Sequence, residues 1–217
     1  MPQAVLDLPR LGALNVHPSL LPLYRGATPL QGQLRDGVTT GGVTIIAMDA
    51  GMDTGDIVLR EERTIGLDET YGELHERFAA LGAELLAHAC AQALTGTLAR
   101  TPQHGLVPQA EVARTLTRPL RKEDLAVDWS WSARRVIDHV RSLSPQPGAR
   151  ATLDGEPDPV KLLLVRQARP ADDAAELVVR CGDGESVAIE RLVPPNRGVT
   201  SGRAYRAARS RRSGLAS

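Results

Sequence analysis

One long amphipathic helix constrains the fold of this chain more than any other feature. Thr70 and Glu73 form the capping box of a helix start, and Gly96 supplies its end. A helix with a single buried face requires other elements to pack against it, and 217 residues are enough for one large domain or two small ones. Apolar residues recur every three or four positions along that face: Leu74, Phe78, Leu81 and Leu85.

Short apolar runs and glycine-rich turns precede this helix. Residues 2–8 predict a short helical segment, and 13–16 predict a strand. A second helix is predicted over 28–37, because Thr28 can cap it, Pro29 suits its first turn and Gly37 closes it. Residues 42–48 and 57–60 predict two further strands, joined by a glycine-rich connection.

The chain after the helix has a different character. Residues 100–116 show no strong period and contain two prolines, which predicts a linker. A helix capped by Ser130 or Ser132 follows, and then several short β-rich segments that are typical of a small barrel. These segments are 160–165, 177–181 and 187–192, with a hairpin turn at Gly182-Asp183-Gly184. We therefore predict an α/β domain over 1–100, a linker over 101–117 and a β-barrel domain over 118–217.

Charge divides the chain in the same way. Residues 1–117 contain 13 acidic and 8 basic side chains, whereas 118–217 contain 13 acidic and 18 basic side chains. This asymmetry favours an enzyme half and a half that meets a polyanion. An ordinary arginine-rich surface is the alternative, since 24 of the 26 basic residues are Arg. The basic residues near the end include Arg203, Arg206 and Arg209.

The two cysteines, Cys90 and Cys181, are far apart and have no metal-type spacing. We interpret both as reduced, buried thiols of an intracellular protein. The first residues lack the basic region of a signal peptide, and no stretch approaches the roughly 20 apolar residues of a membrane span. A cytoplasmic protein is therefore expected.

An amide, an imidazole and a carboxylate lie in the first quarter of the chain, at Asn15, His17 and Asp53. Acyl transfer to an amine passes through an oxyanion, which hydrogen-bond donors placed in advance stabilise. Asn15 offers an amide N–H, and His17, two residues further along a strand, can donate to the same oxyanion or move a proton. Asp53 would fix the tautomer of His17, and either Asp53 or a water that it holds would accept a proton from the amine. We expect these side chains to converge at the carboxyl ends of neighbouring strands.

Each of these residues also has a simpler interpretation. An Asn-x-His sequence commonly caps a strand or a turn, and Asp53 and Asp56 suit an ordinary turn. Asp49 is a rival carboxylate. No metal site is predicted, because one His and scattered Asp residues do not fill a coordination shell.

Two sets of motifs decide between these interpretations. The first consists of Asn15-Val16-His17-Pro18-Ser19-Leu20-Leu21-Pro22, Tyr24-Arg25-Gly26-Ala27 with Pro29, and an Asp in a later Asp-x-Gly element, Asp53. The second consists of Arg121-Lys122-Glu123-Asp124, Val127-Asp128-Trp129-Ser130 and Ser144-Pro145-Gln146-Pro147-Gly148-Ala149. Together they resemble the folate-dependent formyltransferase family, and the second set resembles the branch that acts on initiator methionyl-tRNA. The resemblance covers nearly the whole chain.

The resemblance implies a fold and an activity. The fold would be α/β, the C-terminal half of a doubly wound (Rossmann-like) domain followed by a small OB-like β-barrel domain. The reaction would transfer a formyl group from 10-formyltetrahydrofolate to the amino group of methionine on initiator tRNA, at the start of protein synthesis. No metal is implied, and the complete enzyme would be a cytoplasmic monomer.

The resemblance also implies roles for particular residues. Asn15 and His17 would stabilise the oxyanion, and Asp53 would orient His17 and assist deprotonation. Ser19, Leu20, Leu21 and Pro22 would line the tetrahydrofolate site. The basic domain would hold tRNA through phosphate contacts, with Arg203, Arg206 and Arg209 as the candidates.

One departure from the family pattern is the strand–helix half that precedes the Asn-x-His strand in the family, which is not in this sequence. We therefore expect residues 1–217 to be inactive alone, with an exposed apolar sheet that includes Leu14, Val16, Val43, Ile45 and Ile46. Two alternatives remain at this point: an inactive fragment of such an enzyme, or a related sugar-nucleotide formyltransferase.

Overall fold

The computed structural model of the chain describes residues 2–153, 158–172 and 176–214. The chain divides into two compact units. Unit 1 comprises Met1–Glu69 and Glu73–Pro119, and unit 2 comprises Thr70–Gly72 and Leu120–Ser217. A mixed α/β unit is thus followed by a β-rich unit, which confirms the coarse fold class predicted from the sequence.

Unit 1 is built on a three-stranded sheet in the order β1-β2-β3. β1 is Leu14–His17, β2 is Thr40–Ala47 and β3 is Ile57–Thr64, so each predicted strand is present. Both pairs are antiparallel, whereas a doubly wound sheet is mainly parallel. The connection from β2 to β3 is too short for the helical crossover that a parallel pair needs, which accounts for their antiparallel pairing.

The long helix α3, Tyr71–Thr95, packs against this sheet. An ideal Cβ placed on Gly82 would lie 2.6 Å from the side chain of Val16 and 3.6 Å from that of Val43. The helix backbone therefore approaches the sheet closely, and only glycine fits there without displacing Val16. The predicted buried face is confirmed, since all four of its residues are buried: Leu74, Phe78, Leu81 and Leu85.

By length and composition alone, α3 could also cross a membrane, which the sequence interpretation does not anticipate. Its buried residues nevertheless lie along one face, and charged residues such as Glu76 and Glu84 are exposed. This distribution is that of an amphipathic helix covering a sheet. Cys90, on the same helix, is also exposed, so the predicted burial of both cysteines is confirmed only for Cys181.

The expectation of an exposed apolar sheet is wrong for β2. Val43 and Ile45 have 0% exposure and Ile46 has 2%, while Leu14 and Val16 in β1 are half-buried. The cover comes from α3 on Val43 and from Leu21, which clusters with Ile46 and Ile57. The elements of unit 1 therefore bury the central strand β2 without any strands in addition to β1 and β3.

Three shorter helices complete unit 1: α1 at Gln3–Leu6, α2 at Pro29–Arg35 and α4 at Gln109–Arg114. The segment 101–117, which the sequence suggests is a linker, belongs to unit 1 and carries α4. Thr101 pairs with the backbone of Ile57 in both directions, at 2.8 Å each. Backbone pairing of this kind leaves no periodic pattern in the sequence.

Unit 2 contains a five-stranded antiparallel sheet in the order β4-β5-β7-β6, with β8 on β7. Ser132 caps the helix α5 by accepting from the Arg135 N–H at 3.3 Å, as one of the two predicted caps would. The predicted hairpin turn joins β6 to β7. The elements are a 3-10 helix at Lys122–Leu125, α5 at Ala133–Leu143, β4 at Ala149–Ala151, β5 at Val160–Gln167, β6 at Leu177–Arg180, β7 at Ser186–Val193, β8 at Thr200–Ser201 and α6 at Gly202–Gly214.

The second sheet is open in the part of the chain that the structure describes, so the expected closed barrel is not found there. Its outer strands, β4 with three residues and β6 with four, are not paired with each other. Closure requires strands long enough to tilt and meet edge to edge, and these two offer few backbone groups for that pairing.

Candidate active site

His17 is the last residue of β1 and is almost fully buried, at 4% exposure. Its ring nitrogens face two different groups: Nε2 lies 3.0 Å from the carbonyl oxygen of Tyr24, and Nδ1 lies 3.6 Å from Oδ2 of Asp53. A carbonyl oxygen only accepts, so Nε2 carries the proton and Nδ1 is the bare nitrogen of the neutral ring. The Tyr24 carbonyl therefore sets the tautomer, and Asp53 acts on the ring electrostatically.

The pKa of His17 is lowered from its usual 6.5, chiefly because burial disfavours the charged ring. The hydrogen bond to the Tyr24 carbonyl and the nearby Asp53 carboxylate oppose this effect, while the positive charge of Arg25 adds to it. The imidazole is consequently neutral at pH 7 and can take up a proton.

Asp53 lies in the connection between β2 and β3, with its backbone in the left-handed region at φ 56°. Its Oδ2 accepts a hydrogen bond of 2.8 Å from the backbone N–H of Gly26. Asp adopts this conformation more readily than most non-glycine residues, for which it costs about 1–3 kcal/mol. The carboxylate is thus fixed between the Gly26 amide and the His17 ring.

Asn15 pairs with Ile46 across β1 and β2 and is half-buried. It lines a cavity of about 280 Å³ together with Asp53 and residues of the intervening connection. The other lining residues are Ile46, Met48, Asp49, Ala50, Gly51 and Met52. Asn15 and Asp53, both predicted from the sequence, therefore border one cavity, and the imidazole of His17 lies 3.6 Å from the Asp53 carboxylate.

The predicted convergence at the carboxyl ends of neighbouring strands is wrong in its topology. β1 and β2 are antiparallel, with Asn15 opposite Ile46 and His17 opposite Thr44. Their carboxyl ends therefore point in opposite directions along the strand axis. Asp53 reaches His17 because the connection after β2 leaves at the Leu14 end of β1 and runs back to its His17 end. Within that connection Asp49, the rival carboxylate, is occupied by hydrogen bonds to Thr54 and to the Gly51 amide.

The segment expected to line the folate site is largely buried. Ser19 and Leu21 have 0% exposure, Pro22 is buried and Leu20 is half-buried. The Ser19 hydroxyl donates to the Leu23 carbonyl at 2.7 Å. In this arrangement the side chains of Ser19 and Leu21 shape the loop, and Leu20 is the one with exposed surface.

Several residues that hold the site were given no role by the sequence. Thr117 N–H donates to the Arg25 carbonyl at 2.8 Å, and its hydroxyl donates to the same oxygen at 3.0 Å. The backbone N–H of Tyr24 donates to the Thr115 hydroxyl at 3.2 Å. Gln103, at 4% exposure, contacts both Arg25 and the backbone of the Asp53 connection. The only sequence signal was the Tyr24-Arg25-Gly26 motif itself.

Unit 2 carries an open groove of about 790 Å³ between β6 and α6. Arg206 and Arg209 line it with Arg180, and Arg206 also donates to the Glu176 carbonyl at 2.6 Å. Arg203 lies outside the lining and forms an ion pair with Glu176 at 2.6 Å. Two of the three arginines predicted to bind tRNA therefore share one groove. Within the described residues, no group of three or more His, Cys, Asp or Glu could hold a metal ion.

Comparison with known families gives two matches. Residues 1–90 match the family described as formyl transferase, and 119–209 match the formyl transferase C-terminal domain.

Curated relatives agree with these matches. The methionyl-tRNA formyltransferase of Ralstonia nicotianae is 40% identical over 205 residues, which cover 90% of this chain and 61% of the relative. That of Chlamydia caviae is 36% identical over 217 residues, covering 94% of this chain and 65% of the relative. The chain thus spans slightly less than two thirds of the length of these relatives.

Solved structures share the fold at low identity. HypX from Aquifex aeolicus in complex with tetrahydrofolic acid has a TM-score of 0.61 at 19% identity, covering 87% of this chain and 34% of that one. An N-formyltransferase from Helicobacter canadensis, in complex with folinic acid and dTDP-3-aminofucose, has a TM-score of 0.63 at 14% identity, covering 81% of this chain and 65% of that one. These likenesses concern the fold.

Proposed function

Since this chain belongs to the formyl transferase family, we propose that it carries the catalytic residues of a methionyl-tRNA formyltransferase. The reaction moves a formyl group from 10-formyltetrahydrofolate to the amino group of methionine on initiator tRNA, in the cytoplasm. The observation that carries this proposal is the His17–Asp53 contact of 3.6 Å beside a cavity that Asn15 also lines. The relatives' names supply the acceptor, and the tetrahydrofolate bound by HypX supports the donor.

The finer description of the fold is part of the same proposal. Unit 1 corresponds to part of a doubly wound domain, and unit 2 corresponds to an OB-like domain. The family matches to the two halves of the chain support both assignments.

Our proposed mechanism follows from the placement of the three side chains. The amine nitrogen attacks the formyl carbon, and the carbonyl oxygen becomes an oxyanion to which the Asn15 amide donates. Asp53 borders the same cavity and takes the proton that the attacking amine loses. The bond from the formyl carbon to its folate nitrogen then breaks, and that nitrogen receives the proton.

His17 contributes through its neutral, buried ring in this mechanism. Its Nδ1 faces Asp53, so the ring can take over the proton that Asp53 received from the amine, and the positive charge on the ring then stabilises the oxyanion until the folate nitrogen takes that proton. The lowered pKa keeps His17 unprotonated before the reaction, which prevents it from neutralising Asp53 in the resting site.

We further propose that the groove of unit 2 holds the tRNA. Arg180, Arg206 and Arg209 line one open surface, and guanidinium groups suit phosphates. Contacts of this kind supply affinity and orientation without reading base sequence.

A formyl-transfer assay tests the function. Because the chain spans 61% of the Ralstonia nicotianae relative, the assay uses residues 1–217 and also a chimaera in which they replace the matching segment of that relative. His17→Ala and Asp53→Ala should each reduce turnover by about 100-fold or more, with much smaller changes in substrate binding. Near-normal turnover in either variant would remove that residue from the mechanism.

Matched controls separate the catalytic roles from general effects. His88 and Asp68 are exposed, so His88→Ala and Asp68→Ala should leave turnover unchanged. Supplying a dTDP-linked amino sugar in place of methionyl-tRNA tests the sugar-nucleotide alternative. Formylation of the sugar but not of the tRNA would overturn the proposed acceptor.

A further inference from the structure

Gln103 uses its whole side-chain amide to join two parts of the candidate site. Its Nε2 donates to the carbonyl oxygens of Asp53 at 2.9 Å and Gly55 at 2.7 Å. Its Oε1 accepts from Arg25 Nε at 3.2 Å and Nη2 at 2.7 Å. A glutamine amide has two donor hydrogens and two acceptor lone pairs, so every hydrogen-bonding position is occupied.

The chemistry of these partners fixes the orientation of the amide. Carbonyl oxygens only accept and a guanidinium only donates, so Gln103 cannot be reversed without breaking all of these hydrogen bonds. With 4% exposure, the side chain has little water available to replace a missing partner. Unmade hydrogen bonds of buried groups are costly, which makes this link rigid.

The link closes a ring around Asp53. Its carboxylate is held from one side by the Gly26 amide, and its carbonyl is held from the other side by Gln103. Gly26 follows Arg25 directly in sequence, and Arg25 in turn holds Gln103. The left-handed backbone of Asp53, at φ 56°, therefore lies between two restraints. One comes directly from Gly26, and the other comes from Arg25 through Gln103.

We propose that Gln103 is a positioning residue for formyl transfer, which holds the Asp53 connection so that its carboxylate faces His17 and the cavity. This inference rests on the proposed function. Gln103 does not border the cavity, and it acts on the reaction through the backbone of Asp53. Glutamine is required because glutamate lacks the two donors and methionine lacks both donors and acceptors.

Two variants test the proposal in the chimaera with the Ralstonia nicotianae relative. Gln103→Glu keeps the acceptor for Arg25 and removes the donors, and Gln103→Met keeps the length and removes every hydrogen bond. Each should lower kcat by about 10- to 100-fold, because small misplacement of a catalytic group has effects of that size. The KM for each substrate should change by less than about 3-fold. Gln109→Ala, at an exposed position on α4, is the matched control and should retain full turnover.

A double-mutant cycle distinguishes positioning from general stabilisation. If Gln103 acts through Asp53, Gln103→Met should cost little further turnover once Asp53→Ala is present. An equal loss in both backgrounds would overturn the proposal, as would full turnover in a folded Gln103 variant. If thermal unfolding shows that both variants fail to fold, Gln103 is a structural residue of unit 1 and the positioning role is refuted.

Hydrogen exchange in residues 1–217 gives a readout that does not depend on activity. Amides of residues 49–56 should exchange faster in Gln103→Met than in the unsubstituted chain, and those of β5 should not change. Unchanged exchange in the connection would refute the link. If the exchange effect appears but neither Asp53→Ala nor Gln103→Met alters formyl transfer, the proposed function fails while the physical link stands.

Discussion

Gly26→Ala is the substitution that best tests how the candidate site is held together. Gly26 has φ +111°, and an ideal Cβ there would lie 2.0 Å from the backbone carbonyl oxygen of Thr117. An ordinary contact begins at 3.4 Å, so the two backbones must separate by about 1.4 Å. The obstacle is main chain, which cannot rotate away as a side chain would.

The expected cost has two parts. An alanine at positive φ loses roughly 1–2 kcal/mol, and forcing apart packed atoms adds about 1–3 kcal/mol. Gly96→Ala is the control for the first part, because Gly96 also has a positive φ, +72°, and nothing lies within 4 Å of an added Cβ. Gly26→Ala should therefore destabilise the chain by about 1–3 kcal/mol more than Gly96→Ala does.

Turnover should separate the two variants further. The Gly26 amide donates to Asp53 at 2.8 Å, so a shift of about 1 Å in that amide moves the carboxylate and should lower formyl transfer by about 100-fold. Urea unfolding and the formyl-transfer assay measure both effects. If Gly26→Ala matched Gly96→Ala in stability and kept normal turnover, the Gly26–Thr117 contact would not be what holds the site.

Two further predictions concern protonation and the groove. Burial lowers the pKa of His17 below 6.5, so between that lowered pKa and 6.5 the unfolded chain binds a proton that the folded chain does not, and stability falls as the pH falls through this window. The free energy of unfolding, measured with urea at about pH 7.5 and 5.5, should therefore fall by less in His17→Gln than in the unsubstituted chain. An equal fall in both proteins would contradict the assigned neutral ring. The double variant with Arg206→Gln and Arg209→Gln should weaken tRNA binding and reduce its salt dependence. The slope of the logarithm of the binding constant against the logarithm of the salt concentration should become shallower by about 0.9 for each phosphate that the variant no longer neutralises. An unchanged slope in a filter-binding assay would remove these arginines from the tRNA surface.

The parts of the fold that depend on local patterns were predictable. The buried face of α3 follows from residues three or four positions apart, and the Ser132 cap follows from a single side chain. Strand direction depends on how distant segments meet, and nothing local in 13–16 or 42–48 specifies antiparallel pairing. The burial of Val43 and Ile45 was mispredicted for the same reason, because it depends on where α3 lies.

The candidate site divides in a similar way. The proximity of His17 and Asp53 was predicted, since their side chains carry recognisable chemistry. The contacts that fix them were not, because Gln103 lies 78 positions from Arg25 and Thr117 lies 92 positions from it. The Thr117 contact ends on a backbone carbonyl, which every residue has, and the side-chain pair of Arg25 and Gln103 leaves no local pattern, so the sequence gives no sign of which groups are used.

Three consecutive residues explain how these distant groups are held in one geometry. The Tyr24 carbonyl accepts from His17, the Arg25 side chain donates to Gln103, and the Gly26 amide donates to Asp53. Tyr24 itself has φ +58°, a left-handed conformation that costs a non-glycine residue about 1–3 kcal/mol. Its hydroxyl donates to Asp36 at 3.0 Å, and its N–H donates to Thr115, so both ends of the residue are restrained. Because one short segment holds the imidazole and the carboxylate, a rigid displacement of that segment carries both groups together, whereas loss of the Tyr24–His17 or the Gly26–Asp53 hydrogen bond releases one group while the other stays held.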